Sequence, residues 1–226
     1  MRILALDTAM NACSVAVVDA ADEALTVLAV RSEPMERGHA EALIPMVGEA
    51  MSAAGLTFAE LDRVAVTIGP GSFTGTRIGV SAAHGYALAR GIPAAGVTTL
   101  QAVALTTRGL YPDDRDIIVL FDAQRGEVYG QAFRGPFCVP IAEPAAYTVA
   151  GAMQLLPRGS CILAGSGAHL LAQASRRGNL ALADVSSLPD PVCVARLGLH
   201  ARDQAMPLYL RPPDAKPQAP QILRAG

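Results

Sequence analysis

The chain has 226 residues, 51% apolar and 17% charged, enough to bury a sizeable core as one large domain or two lobes of roughly 100 residues each. Aromatic residues make up only 4%, with no Trp, so small and branched aliphatic side chains must fill that core. A formal charge of −2 supplies no basic field, which argues against tight nucleic-acid binding by this chain alone and assigns any RNA-facing positive surface to a partner.

The start, MRILALDTAM, does not read as a secretory signal, because Asp7 cuts the apolar run from Ile3 to Leu6. RILALD and CSVAVVD are apolar and branched, and predict two strands joined as a hairpin through TAMNA. ALTVLAVRSE predicts a third strand. From Gly38 to Ala54 the spacing turns helical, and LDRVAVTIG returns to strand. Thr74 to Arg90 predicts a helix, with Thr74 as its N-cap and Gly91 as its stop. PAAGVTT adds a fifth strand, followed by a helix through about Thr107. RGLYPDDRD has the composition of a linker.

Past the linker the pattern begins again. IIVLFDAQRGEVYGQAF repeats the strand, Asp and hairpin of ILALDTAMNACSVAVVD, so that Asp122 stands where Asp7 stood. SCILAGSGAHLLAQA repeats strand, glycine turn and helix. Two similar β-β-β-α-β-α halves predict an α/β protein of two lobes facing a cleft, the actin-like architecture, each lobe with a mixed five-stranded sheet flanked by helices. The expected boundaries are 1–108 and 109–211. The remaining tail, 212–226, carries Pro212, Pro213, Pro217 and Pro220, which forbid a continuous helix and predict extended, mobile chain. No uncharged run reaches the ~18 residues of a membrane helix. Cys13, Cys138, Cys161 and Cys193 lack metal-ligand spacing and read as free thiols of a reducing cytosol.

The stretch VTIGPGSFTGTRIG, residues 66–79, carries the chemistry or its remnant. Amides at a helix N-terminus attract anions, and glycines let the chain approach phosphate. Yet no Lys follows as in the G-x-x-x-x-G-K-[ST] loop, and Arg77 lies inside the helix. The candidate site comprises Asp7, Thr8, Gly69, Pro70, Gly71, Ser72, Thr74 and Gly75. Two readings stand: a vestigial phosphate loop kept as a tight turn, or part of a nucleotide pocket closed by a partner.

Six segments occur in order that together resemble the TsaB (YeaZ) family: ILALDTAMNACSVAVVD, RGHAEALIPMV, GPGSFTGTRIG, GVTTLQAVAL, FDAQRGEVY and PLYLR. The resemblance runs from Arg2 to about Arg211, with Ala9 where Ser is usual, Thr76 where Leu is usual and Gln124 where Arg is usual. It implies a role in making threonylcarbamoyladenosine beside the anticodon of tRNAs, with TsaD as catalytic paralogue and partner and the ATPase TsaE joining them. It also implies tRNA contact only through that complex, a homodimer when the chain is alone, and no cofactor of its own beyond ATP or ADP at the partner interface. TsaD carries a V-N-H-L-E-G-H pattern whose two histidines bind metal. The same stretch here is VTTLQAV, with Thr99 and Val103 at the histidine places. Val has no lone pair, and a lone Thr hydroxyl is a poor transition-metal ligand. His39, His84, His169 and His200 share no spacing that rebuilds the site.

The helix near residues 38 to 54 has two apolar stripes. Ala40, Leu43, Ile44, Val47 and Met51 form one; Ala42, Met46, Ala50 and Ala53 form the other. The second is expected to be exposed for a partner, with His39 at its start and the small residues Gly75, Gly79 and Ala83 beside it. Burial of both stripes within the lobe is the alternative. The functional expectation is a non-catalytic partner of a tRNA-modifying enzyme. The competing expectation is an actin-like ATPase or kinase, or a peptidase using Ser72, for which no His–Asp companions stand nearby in sequence.

Overall fold

The computed structural model describes residues 1–21, 24–184, 187–201 and 204–211. The tail expected to be mobile, 212–226, lies outside them. The first sheet contains β1 (Arg2–Asp7), β2 (Ala12–Ala21), β3 (Ala24–Pro34), β4 (Arg63–Thr67) and β5 (Ala94–Val97), in the order β3-β2-β1-β4-β5. Helices α1 (His39–Ala53), α2 (Phe73–Arg90) and α3 (Thr99–Leu110) follow β3, β4 and β5. β1 runs antiparallel to β2 and parallel to β4. It is covered on both faces, which is why its sequence is apolar without alternation: Ile3, Leu4, Ala5 and Leu6 are all fully buried.

The second half contains β6 (Asp116–Asp122), β7 (Glu127–Arg134), β8 (Val139–Pro140), β9 (Ala145–Thr148), β10 (Cys161–Ala164) and β11 (Leu180–Leu182). Its order is β11-β10-β6-β7-β8, with β9 also on β7, so it repeats the first sheet with one short strand more than the five expected. Helix α4 (Ala168–Ser175) follows β10, and α5 (Pro191–His200) comes last.

The lobes exchange their last helices. α3 belongs to the first half in sequence, yet Leu100, Val103 and Ala104 pack with Ile117, Val119, Phe121 and Phe133 of the second sheet. α5 belongs to the second half, yet Val194 and Ala195 pack with Ile3, Ala5, Ala16, Val18 and Ala65 of the first. A Cβ at Gly198 would lie 2.4 Å from the Ala65 Cβ, so glycine lets α5 rest directly on the sheet. Arg63 then fastens the end of α5, its Nη1 donating to the carbonyls of Gly198, Leu199 and Ala201.

The helix α1 corrects the expected stripes. Its core face is His39, Leu43, Met46, Val47, Ala50 and Met51, whereas Ile44 is 55% exposed. Met46 and Ala50 therefore belong to the lobe core rather than to a free face. Ala42 is half-buried, and on α2 Gly75, Gly79 and Ala83 are buried against the lobe. A four-residue spacing of small residues allows close packing, and the partner here is the lobe's own hairpin and sheet.

Candidate functional site

The parallel strands β1, β4 and β5 end at one edge of the first sheet, the usual position for a ligand in an α/β protein. Asp7 closes β1 and is fully buried. Its Oδ1 accepts from Thr67 Oγ1 at 2.5 Å and from the Ala9 amide at 3.1 Å, and Oδ2 has no partner. Burial pushes its pKa up to about 6, against the opposing pull of Thr67, the Ala9 amide and His39. His39 opens α1 and donates through Nε2 to the Met10 carbonyl at 3.0 Å.

The glycine turn lies directly on this hairpin. The Ser72 amide donates to the Ala9 carbonyl at 2.7 Å, and Thr8 Oγ1 donates to the Gly75 carbonyl at 2.7 Å. A Cβ at Gly71 would stand 2.2 Å from the Ala9 carbonyl oxygen, and one at Gly75 would stand 2.0 Å from that of Thr8. These glycines serve contact between backbone and backbone. Gly69 has φ 101, precedes a cis peptide to Pro70, and accepts from the Thr99 amide at 2.9 Å. The N-cap of α2 is Ser72, whose Oγ accepts from the Gly75 amide at 3.2 Å; Thr74, expected in that role, is an exposed helical residue. Ser wins because its oxygen precedes the first helical residue at the spacing an N-cap requires.

The expected residues Asp7, Thr8, Gly69, Pro70, Gly71, Ser72 and Gly75 thus come together, as does His39. Thr99 is fully buried at the start of α3 with its Oγ1 unpartnered, and Val103 points into the second sheet's core. Among the described residues, no three His, Cys, Asp or Glu side chains are grouped so as to hold a metal. In the second half, a Cβ at Gly165 would stand 2.3 Å from the Leu120 carbonyl oxygen, the Gly167 amide donates to that carbonyl at 2.9 Å, and Ser166 Oγ accepts from the Asp122 amide at 3.1 Å. Asp122 itself is exposed, unlike Asp7.

The closing PLYLR segment completes the site in a way that no local signal announces. The Leu208 amide donates to the Ile68 carbonyl at 2.7 Å, and Tyr209 accepts from Arg77 Nε at 2.8 Å. Arg77 stacks over Phe73 at 3.8 Å, and Phe73 and Tyr209 have ring centroids 5.2 Å apart. Arg211 reaches the second lobe, pairing with Glu127 and donating to the Ala123 carbonyl at 3.3 Å. Phe73 and Tyr209 remain 48% and 46% exposed. A separate groove of about 700 Å³ lies at the other end of α2, lined by Arg63, His84, Leu88 and Gln204, away from this turn.

A family model described as TsaD, tRNA N6-adenosine threonylcarbamoyltransferase, matches residues 30–164. An uncharacterized protein of Mycobacterium tuberculosis is 35% identical over 96% of this chain and 95% of its own length. The Escherichia coli tRNA threonylcarbamoyladenosine biosynthesis protein TsaB is 39% identical over 57% of this chain and 53% of its own length. YeaZ from Pseudomonas aeruginosa superposes with a TM-score of 0.77 at 25% identity, over 92% of this chain and 99% of that one. The chain belongs to the TsaB (YeaZ) family. A ROK hexokinase from Thermus thermophilus, with a TM-score of 0.50 at 14% identity over 89% of this chain and 98% of its own, shares the wider actin-like fold. The matched span of the family model includes the glycine turn and the α3 start, so Thr99 and Val103 fall within its reach.

Proposed function

We propose that this chain acts in tRNA threonylcarbamoyladenosine synthesis as a non-catalytic partner of a TsaD-type transferase, in a complex that a TsaE-type ATPase joins. The observation that carries the reading is the contact of the glycine turn with the Thr8 and Ala9 carbonyls. A phosphate at that helix N-terminus would need the space and the Ser72 amide that the hairpin occupies. Thr99 and Val103 support it, since neither side chain can replace a histidine as metal ligand. Any ATP or ADP is then held at the boundary with the partner rather than inside this chain.

The partner face is the outward side of α1 and α2 with the adjoining PLYLR segment. Ile44, Phe73 and Tyr209 are exposed, and Arg77 stacks over Phe73 and donates to Tyr209. Exposed aromatic and Arg side chains held in place by mutual stacking are the residue types that anchor protein interfaces. Ser72 Oγ caps α2 by accepting from the Gly75 amide, a structural role that supports this reading over the peptidase alternative. The test is co-purification with the cognate TsaD-type protein and reconstituted threonylcarbamoylation with and without this chain. The expected result is a stable complex and loss of transfer when the chain is omitted. Steady ATP turnover by the isolated chain, or about one Fe or Zn bound per chain, would overturn the reading.

A further inference from the structure

The parallel strands β6, β10 and β11 begin side by side, with Cys161 opposite both Asp116 and Leu180. The residues before them therefore form one rim: Arg115 before β6, Arg158 to Ser160 before β10, and Arg176 to Asn179 before β11. Arg177 Nη1 donates to the Pro157 carbonyl at 3.0 Å, and Asn179 Nδ2 donates to the Gly159 carbonyl at 2.9 Å, so the last two segments touch. Arg115 is paired with Asp113, and Arg134, at the near end of β7, grips Asp116 with two bonds of 2.8 and 2.7 Å. Arg158, Arg176 and Arg177 are exposed, and among the described residues no ion pair joins them to a carboxylate. Counting Asp114, the rim holds five arginines against three aspartates, in a chain whose total charge is −2.

Local folding does not account for the three unpaired arginines. Arg176 and Arg177 follow α4 and complement the negative end of its dipole, but Arg158 stands on a different loop. Arg176 has φ 51, a conformation that Gly or Asn adopts at lower cost. We propose that this rim contacts the phosphate backbone of a tRNA. The proposal rests on the tRNA-modification reading above for the identity of the polyanion. Guanidinium groups bind phosphate oxygens in pairs, and three such contacts add a weak, salt-sensitive term to the affinity of a larger assembly. A membrane is the poorer fit, because the exposed segments Arg158–Ser160 and Arg176–Asn179 offer no apolar side chain to insert. The rim lies at the end of β6 away from Asp122, about 20 Å along the strand, and on the other lobe from α1 and α2, so a partner there leaves it open.

The test is binding of an unmodified tRNA transcript to the full chain, followed by fluorescence anisotropy between about 50 and 200 mM salt. Arg158→Gln, Arg176→Gln and Arg177→Gln together should weaken binding at least about fivefold at the low end and make the log–log salt slope shallower by about two. The same three positions changed to Lys should keep most of the affinity. Arg158→Gln alone, at a side chain on a separate loop, should lower the slope by about 0.7 to 0.9, which keeps the proposal open to failure even if the triple variant unfolds. Co-purification with the TsaD-type partner, unchanged in the variants, reads the proposed function separately from the rim. No salt-dependent binding by the natural chain, an unchanged slope in the Gln variants, or loss of binding to phosphatidylserine vesicles but not to the transcript would each overturn the proposal.

Discussion

Asp7 occupies a place where charge is costly. Its pKa stands at about 6 against 3.8 for a free side chain, because burial outweighs the hydrogen bonds that favour the carboxylate. Below the lower value both folded and unfolded forms are protonated and the shift contributes nothing. Between the two, the unfolded chain ionises first, so stability falls as pH rises, and above about 6 the loss is constant at roughly 3 kcal/mol. Urea unfolding should therefore show the natural chain losing stability relative to Asp7→Asn from pH 4 to 7, and no further change above. A parallel course for the two proteins would count against a raised pKa. Two glycines of α2 make a paired test. Gly75→Ala must push backbone against the Thr8 carbonyl and should cost ~2–3 kcal/mol, whereas Gly85→Ala meets nothing within 4 Å and should gain about 0.5–1 kcal/mol in thermal unfolding. Asp7 and the glycines stood out in the sequence because their residue types are unusual at such positions. Thr67, which holds Asp7, did not, since its role exists only where β4 lies beside β1.

At the scale of elements, α1 shows where periodicity stops deciding. Two apolar stripes satisfy a helical repeat equally well, and only the packing of α1 on β2 and β3 selects Met46 and Ala50 for the core and turns Ile44 outward. Ala50→Glu would bury an unpaired carboxylate at a fully covered position, so it should unfold the isolated chain or lower its stability by several kcal/mol, as read by circular dichroism melting. Retention of native melting would restore Ala50 to the surface. The partner face is better tested through α2. Phe73→Ala with Arg77→Ala should weaken association with the TsaD-type protein by more than about tenfold while melting changes by little, because both side chains are exposed and stack on each other and on Tyr209. Equal affinity in a pull-down titration would remove this face from the interface.

At the scale of the whole molecule, the exchange of α3 and α5 binds the lobes into one cooperative unit. A fragment of residues 1–110 keeps the first sheet but loses the α5 cover over Ile3, Ala5, Ala16, Val18 and Ala65, and leaves Leu100, Val103 and Ala104 without the second sheet. It should show no cooperative urea transition by itself and regain one when co-expressed with residues 111–226. Independent folding of the fragment would contradict this coupling. The succession of strands and helices along the chain, the hairpin that follows Asp7, the glycine turn and the repeat in the second half were all legible from residue types and spacing. Those features depend on neighbours close in the chain, through backbone preference and local apolar period. The exchange of α3 and α5, the face of α1 and the clustering of Phe73, Arg77 and Tyr209 were not. Each depends on which surfaces meet in the folded chain: α1 on the hairpin of β2 and β3, α5 on β1, and Arg77 on Tyr209, a bond between residues 132 positions apart. Burial and hydrogen bonding at such distances are properties of the packed whole, and only the tertiary structure decided them.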